Sequence, residues 1–194
     1  MKELVYHRAL LPAVERYSTH TALIDGEQRI SYAEHGENVC RLAQALKERL
    51  DVGRSDRFAV MALNSHQYFE LYHAAFLGAG IINPLNLRLA GKELDYIIRD
   101  SGTEVIFADA FFAPAIAAAL DASDEPNNVR KVVLIGEGDV PPDLTFDALV
   151  DGVDAPVPDE PEEDDPVVLM YTGGTTGLPK GVLLDQRAEM LNLY

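Results

Sequence analysis

Cysteine occurs once in this chain, at Cys40, so no internal disulfide and no multi-cysteine zinc site can form. Long apolar runs are missing too. The longest stretch free of charged or strongly polar residues is Ala110–Leu120, and Pro114 interrupts it; a membrane helix needs about 20 such residues. Lys2, Glu3, His7 and Arg8 stand where a secretion signal would carry its apolar segment. The cytoplasm is therefore the expected compartment. Bases are scarce, with 16 Lys and Arg against 32 Asp and Glu, a net charge of −16. A chain so acidic repels nucleic acid and anionic membranes, so neither is an expected partner.

What is present is ordinary for a globular protein: 194 residues, 47% hydrophobic and 25% charged. A chain of this length can bury roughly 70% of its unfolded surface, enough for a real core. The charge is uneven. Residues 132–179 hold 12 of the 32 acids and no Lys or Arg.

Thr21–Ile30 reads as a β-hairpin, with Asp25-Gly26 expected to supply two positive φ values. Ser31-Tyr32-Ala33-Glu34 is a capping box, opening a helix to about Leu50 whose apolar face is Val39, Leu42, Ala43, Leu46 and Leu50. Apolar runs and helical stretches then alternate. Phe58–Leu63, Gly80–Ile82, Val105–Ala108 and Lys131–Ile135 have strand character; His66–Leu77, Gly91–Arg99 and Phe111–Leu120 have helical spacing. Short, continuously apolar strands separated by helices imply a sheet covered on both faces. The expected class is α/β, a mainly parallel sheet flanked by helices.

Asp139–Pro166 breaks this rhythm with 11 acids and 6 prolines. It reads as a solvated connector, relieved only by a short turn at Leu144–Val150, because it has too little apolar surface to offset its ordering entropy. Val167–Tyr171 is again a buried strand. The final Met190–Tyr194 looks like a helix beginning, so the chain is expected to be a fragment. The expected organisation is an α/β subdomain over 1–138, the acidic proline-rich connector over 139–166, and a strand, loop and start of a further unit over 167–194.

The dense chemical signal is Thr172-Gly173-Gly174-Thr175-Thr176-Gly177-Leu178-Pro179-Lys180-Gly181. Glycines remove Cβ atoms and allow successive N–H groups to converge on an anion. The threonines add hydroxyls, with Thr175 and Thr176 as candidates for a phosphate-bound magnesium ion. Lys180 adds a compact positive charge, and it is the only cation between residues 132 and 186. The loop is not a Walker A sequence, which needs Gly-Lys-Ser/Thr; here Pro179 precedes the lysine and Gly181 follows it. Gly78 and Gly80 imitate the first two glycines of a dinucleotide fingerprint, but the third is missing.

Tyr171–Val182, YTGGTTGLPKGV, closely resembles the phosphate loop of the adenylate-forming superfamily. Ile30-Ser31-Tyr32-Ala33-Glu34 resembles that family's first short motif. Leu77–Leu89, LGAGIINPLNLRL, resembles its second, and Glu93–Ala108, ELDYIIRDSGTEVIFA, follows the acyl-CoA synthetase pattern. The resemblance implies the N-terminal part of an AMP-forming acyl-CoA synthetase, with a fatty or related acid as substrate. Such an enzyme lets a carboxylate attack the α-phosphorus of ATP, releasing pyrophosphate, and the CoA thiol then displaces AMP. ATP, Mg2+ and CoA are the implied cofactors and co-substrates.

By the same resemblance, Thr172, Gly173, Gly174, Thr175, Thr176, Gly177 and Lys180 form the phosphate-binding loop. Gly173 stands where many members have serine, and Gln186 where many have histidine. The Tyr-Gly-x-Thr-Glu motif, the ribose-binding aspartate, the hinge residue and the late catalytic lysine have no counterpart, so the catalytic residues and the C-terminal domain are expected beyond Tyr194. The fragment alone is then expected to be inactive. A non-catalytic module that binds nucleotide or a partner is the rival reading, and self-association through an uncovered sheet edge is a further expectation.

Other conspicuous residues read as structural. Cys40 is expected to be a buried thiol. Phe69, Tyr72 and Phe76 are expected in the core, and Asn64-Ser65 as a helix cap. His66 and His73 are seven apart, too far for a metal pair on adjacent helical turns, and no metal site is expected.

Overall fold

The computed structural model of the chain describes residues 4–89, 91–122, 125–136, 138, 144–173 and 178–192. It opens with α1 (His7–Arg16), a helix the apolar pattern did not announce, followed by the hairpin β1 (Thr21–Asp25) and β2 (Gln28–Ser31). At the hairpin turn only Gly26 has positive φ, +59°. Asp25 instead ends β1, where its Oδ2 accepts from the His66 N–H at 3.0 Å and faces His66 Nδ1 at 2.8 Å. The expectation of a positive φ at Asp25 is thereby corrected.

Ser31 caps α2 (Tyr32–Leu50): its Oγ accepts from the Glu34 N–H at 3.2 Å, and Glu34 Oε2 accepts from the Ser31 N–H at 2.8 Å. The reciprocal pair satisfies two donors that the first turn leaves open. The buried face of α2 carries the expected Val39, Leu42, Ala43, Leu46 and Leu50, together with Cys40.

The alternation then runs β3 (Arg57–Met61), α3 (His66–Phe76), β4 (Ile81–Pro84), α4 (Lys92–Asp100), β5 (Val105–Asp109), α5 (Ala113–Leu120) and β6 (Lys131–Ile135). β3 is shorter than its apolar run, and Leu63 beyond it is 56% exposed. Ser65 caps α3 by accepting from the Tyr68 N–H at 3.2 Å. After these come β7 (Leu144–Thr145), α6 (Phe146–Val150), β8 (Pro166–Thr172), β9 (Lys180–Asp185) and α7 (Gln186–Asn192).

Seven strands form one sheet in the order β7-β6-β5-β3-β4-β8-β9, parallel throughout except for β9, which runs antiparallel to β8. Alternation along each strand sends side chains to two cores. Phe58, Val60, Val105 and Phe107 point toward α2 and α3; Ala59, Met61, Ile106 and Ala108 point toward α4 and α5. The α/β class with a mainly parallel, doubly covered sheet is as expected.

The acidic segment departs from expectation. Residues 139–143 lie outside the described residues, but from Leu144 onward the chain is laid against the fold. Phe146, Leu149 and Val153 are buried in the core. Arg49 donates to the carbonyls of Ala148, Leu149 and Asp151 at 2.7, 3.0 and 2.7 Å, and Arg41 to that of Val153 at 3.2 Å. Arg54 pairs with Asp165 at 2.9 Å. Composition understated this segment because the groups that hold it lie about 100 residues earlier in the chain. Its acids Asp151, Asp154, Asp159, Glu160, Glu162 and Asp164 stay in water.

Candidate functional site

β8 runs parallel to β4, so its last residue, Thr172, arrives at the carboxyl edge of the sheet, the side where ligands bind in open α/β folds. β9 returns from that edge. Thr172 and Lys180 face one another as the last pair of the β8–β9 ladder, and the Thr172 hydroxyl donates to the Lys180 carbonyl at 3.5 Å. Two of the expected loop residues are therefore brought together as its stems. Gly173 follows Thr172, exposed and with nothing within 4 Å of the position a Cβ would take. Gly174, Thr175, Thr176 and Gly177 lie outside the described residues. Leu178 is 64% exposed.

The stems are anchored on the α4 side. The Tyr171 hydroxyl donates to Asp100 Oδ2 at 2.6 Å. Burial first, and the bond to the Asp100 carboxylate second, raise the Tyr171 phenol above its ordinary value. Gly181 crosses this ring: a Cβ there would lie 3.0 Å from Leu169 Cδ1 and 3.1 Å from Tyr171 Cζ. A side chain at residue 181 would need the Leu169 methyl or the Tyr171 ring, beside Lys180, to give by a few tenths of an ångström. Gly181 and the Tyr171–Asp100 pair are thus part of the loop's support, a role that nothing in their spacing announces.

The other end of β9 is held by Gln186, which is 1% exposed. Its Oε1 accepts from the Tyr6 N–H at 3.1 Å and its Nε2 donates to the Phe76 carbonyl at 2.7 Å. In the sequence Gln186 registers only as a departure from a family pattern.

The remaining candidates fall outside this site. Cys40 is 4% exposed, and burial raises its thiol. His66 is taken by Asp25, while His73 lies between Tyr6 Oη at 2.8 Å and His35 Nε2 at 2.7 Å. Phe69 is 47% exposed, correcting its assignment to the core; Tyr72 and Phe76 are half-buried and pack against it. Phe69 faces out because α3 turns its buried stripe, Leu71, Ala74 and Ala75, toward the sheet. Among the described residues no group of three or more His, Cys, Asp or Glu could hold a metal ion. No helix among them is long and apolar enough to cross a membrane.

The architecture is that of the N-terminal part of adenylate-forming enzymes. The chain superposes on the crystal structure of the anthranilate CoA ligase AuaEII in complex with anthranoyl-AMP with a TM-score of 0.85 at 22% identity, covering 96% of this chain and 35% of that one. The family model of the AMP-binding enzyme matches residues 11–194, and the chain belongs to that family. It is 30% identical to the peroxisomal benzoate–CoA ligase of Arabidopsis thaliana over 92% of this chain and 33% of the relative. It is 33% identical to the long-chain-fatty-acid–CoA ligase FadD13 of Mycobacterium tuberculosis over 80% of this chain and 29% of the relative. The chain thus spans about a third of the length of the relatives it matches.

Proposed function

We propose that the chain forms the nucleotide-loop portion of an ATP-dependent acyl-CoA synthetase. The observation that carries this reading is the pairing of Thr172 with Lys180 at the carboxyl edge of the sheet, which closes a glycine- and threonine-rich loop on a lysine. Backbone N–H groups of Gly173, Gly174 and Gly177, the hydroxyls of Thr172, Thr175 and Thr176, and the Lys180 ammonium hold the β- and γ-phosphates. Donors around these phosphates would stabilise the negative charge that builds as pyrophosphate departs from the α-phosphorus under carboxylate attack. A magnesium ion would be held through phosphate oxygens and the hydroxyls of Thr175 and Thr176, since among the described residues no group of three or more His, Cys, Asp or Glu could hold it; it would neutralise phosphate charge.

A fatty or related acid is the proposed substrate, supported by the FadD13 relative; the benzoate–CoA ligase relative marks the aryl acid as the competing choice. CoA is the proposed acceptor. We assign residues 1–138 to an α/β subdomain, 139–166 to a connector and 167–194 to the loop unit, with the catalytic residues beyond Tyr194. The 194 residues alone then bind nucleotide without turnover, in the cytoplasm.

The test is calorimetric titration of the chain with Mg·ATP. Binding by the wild type that falls about tenfold or more in Lys180→Ala supports the reading, since a charge-assisted phosphate bond is worth roughly 1.5–3 kcal/mol. Equal affinity in the two proteins overturns the role of Lys180. Release of inorganic phosphate rather than pyrophosphate would point to an ordinary nucleoside triphosphatase.

A further inference from the structure

The hairpin that carries the loop stems joins the sheet through β8, whose Val167 and Val168 are buried in the core. Among the described residues, β4 and β8 register at one pair, Ile82 and Val168, whereas β3 and β4 register at four. A second hold on the hairpin lies at its far end. Gln186 N donates to the Asp165 carbonyl at 3.0 Å and Arg187 N to the Glu163 carbonyl at 2.9 Å, closing the base of β8 on that of β9. The Gln186 side chain then reaches outward to two other elements, the start of α1 through Tyr6 N and the end of α3 through the Phe76 carbonyl. Glu163 Oε1 accepts from Leu4 N at 2.7 Å beside it.

An amide suits this place. It is neutral and offers donors from one atom and an acceptor from the other, and both are used within a buried setting. β9 is paired with β8 from Asp185 to Lys180, so a hold at residue 186 is carried along that ladder toward the loop stems.

We infer that Gln186 is a positioning residue: by tying β9 to α1 and α3 it fixes where Thr172 and Lys180 stand over the carboxyl edge of β4. Its importance for activity rests on the nucleotide reading of the loop. Its effect on the hairpin does not.

Three variants of the full chain test the idea. Gln186→Leu removes both bonds. Gln186→Glu keeps the acceptor and turns a carboxylate on the Phe76 carbonyl, a milder change should the leucine variant not fold. Gln186→His keeps one donor and one acceptor in a neutral ring. Amide hydrogen exchange and Mg·ATP titration are read on each.

In the leucine and glutamate variants, exchange at Val182–Leu184 is expected to rise about tenfold while exchange at Val105–Phe107 in β5 stays as it was. ATP affinity falls about fivefold, and the histidine variant recovers both readings. Unchanged exchange in β9, or an equal rise in β5 and β9, overturns the inference, because the first shows no tether and the second only a loss of global stability. Absence of ATP binding by the wild type overturns the nucleotide reading instead, and the exchange measurement still decides the role of Gln186.

Discussion

His35 and His73 share a hydrogen bond of 2.7 Å between Nε2 of the first and Nδ1 of the second, inside the layer where α2 meets α3. The outer nitrogen of His73 meets the Tyr6 hydroxyl at 2.8 Å, and Phe69 lies against both rings. Burial drives His73 down to about 3, with His35 adding to it, and drives His35 down to about 4, with His66 adding to it. Both rings are therefore neutral in the folded protein.

Stability should fall with acid because of them. The folded values lie below the unfolded value of about 6.5, so the unfolded chain binds more protons across the intervening window. The stabilisation is complete above roughly pH 6.5 and is lost as pH drops toward 4, at on the order of 1 kcal/mol per pH unit for each ring. Glu70, raised by burial and bonded to Asn38 at 2.9 Å, acts in the opposite direction, its contribution lost as pH rises, and blunts the slope. Urea unfolding at pH 7.5, 6 and 5 measures the effect, and His73→Gln should flatten it. A flat profile in the wild type would sink the assignment.

Gly181→Ala is expected to destabilise by about 1–2 kcal/mol, because the new methyl meets a ring that Asp100 keeps from swinging aside. Gly181→Val should cost more. Adding Tyr171→Phe, which releases the ring, should recover part of the loss. Denaturant midpoints of the single and double variants decide this, and an alanine variant as stable as the wild type would refute it.

Arg49→Ala should loosen α6 and the start of the acidic segment while leaving the sheet intact. It withdraws donors from three carbonyls at once, with a combined effect of about 1–3 kcal/mol. Limited proteolysis should cut near residues 150–155 sooner than in the wild type. Identical cleavage patterns would show that the buried Phe146 and Leu149 hold the segment unaided.

β9 ends the sheet with Val182 and Leu183 at 43% and 50% exposure beside Met170 at 41%. An open, apolar edge strand templates pairing with another chain. We expect concentration-dependent dimerisation of the 194 residues in sedimentation velocity, reduced by Val182→Lys. A monomer at every concentration would argue against it.

The sheet strands were legible because a strand covered on both faces must be apolar at every position, and Phe58–Met61 and Val105–Ala108 are. The cap at Ser31 was legible because its chemistry is local. The docking of residues 144–165 was not, because arginines far away in the chain supply its donors. α1 escaped notice as well: His7 is buried while Pro12 sits inside the helix, and neither belongs to a simple apolar stripe. At the loop, the residue types announced an anion site, but its mounting through Tyr171, Asp100 and Gln186 depends on distances that no spacing encodes.

The tie between Leu4–Tyr6 and Glu163–Gln186 bears on the birth of the protein at the ribosome. Leu4 and Tyr6 must wait for residues more than 150 positions later before their partners exist. β4 waits as well, since its neighbour β8 emerges only after β5 and β6 are complete. Until then Ile82 lacks the strand it pairs with, and the Leu4 and Tyr6 N–H groups lack their acceptors.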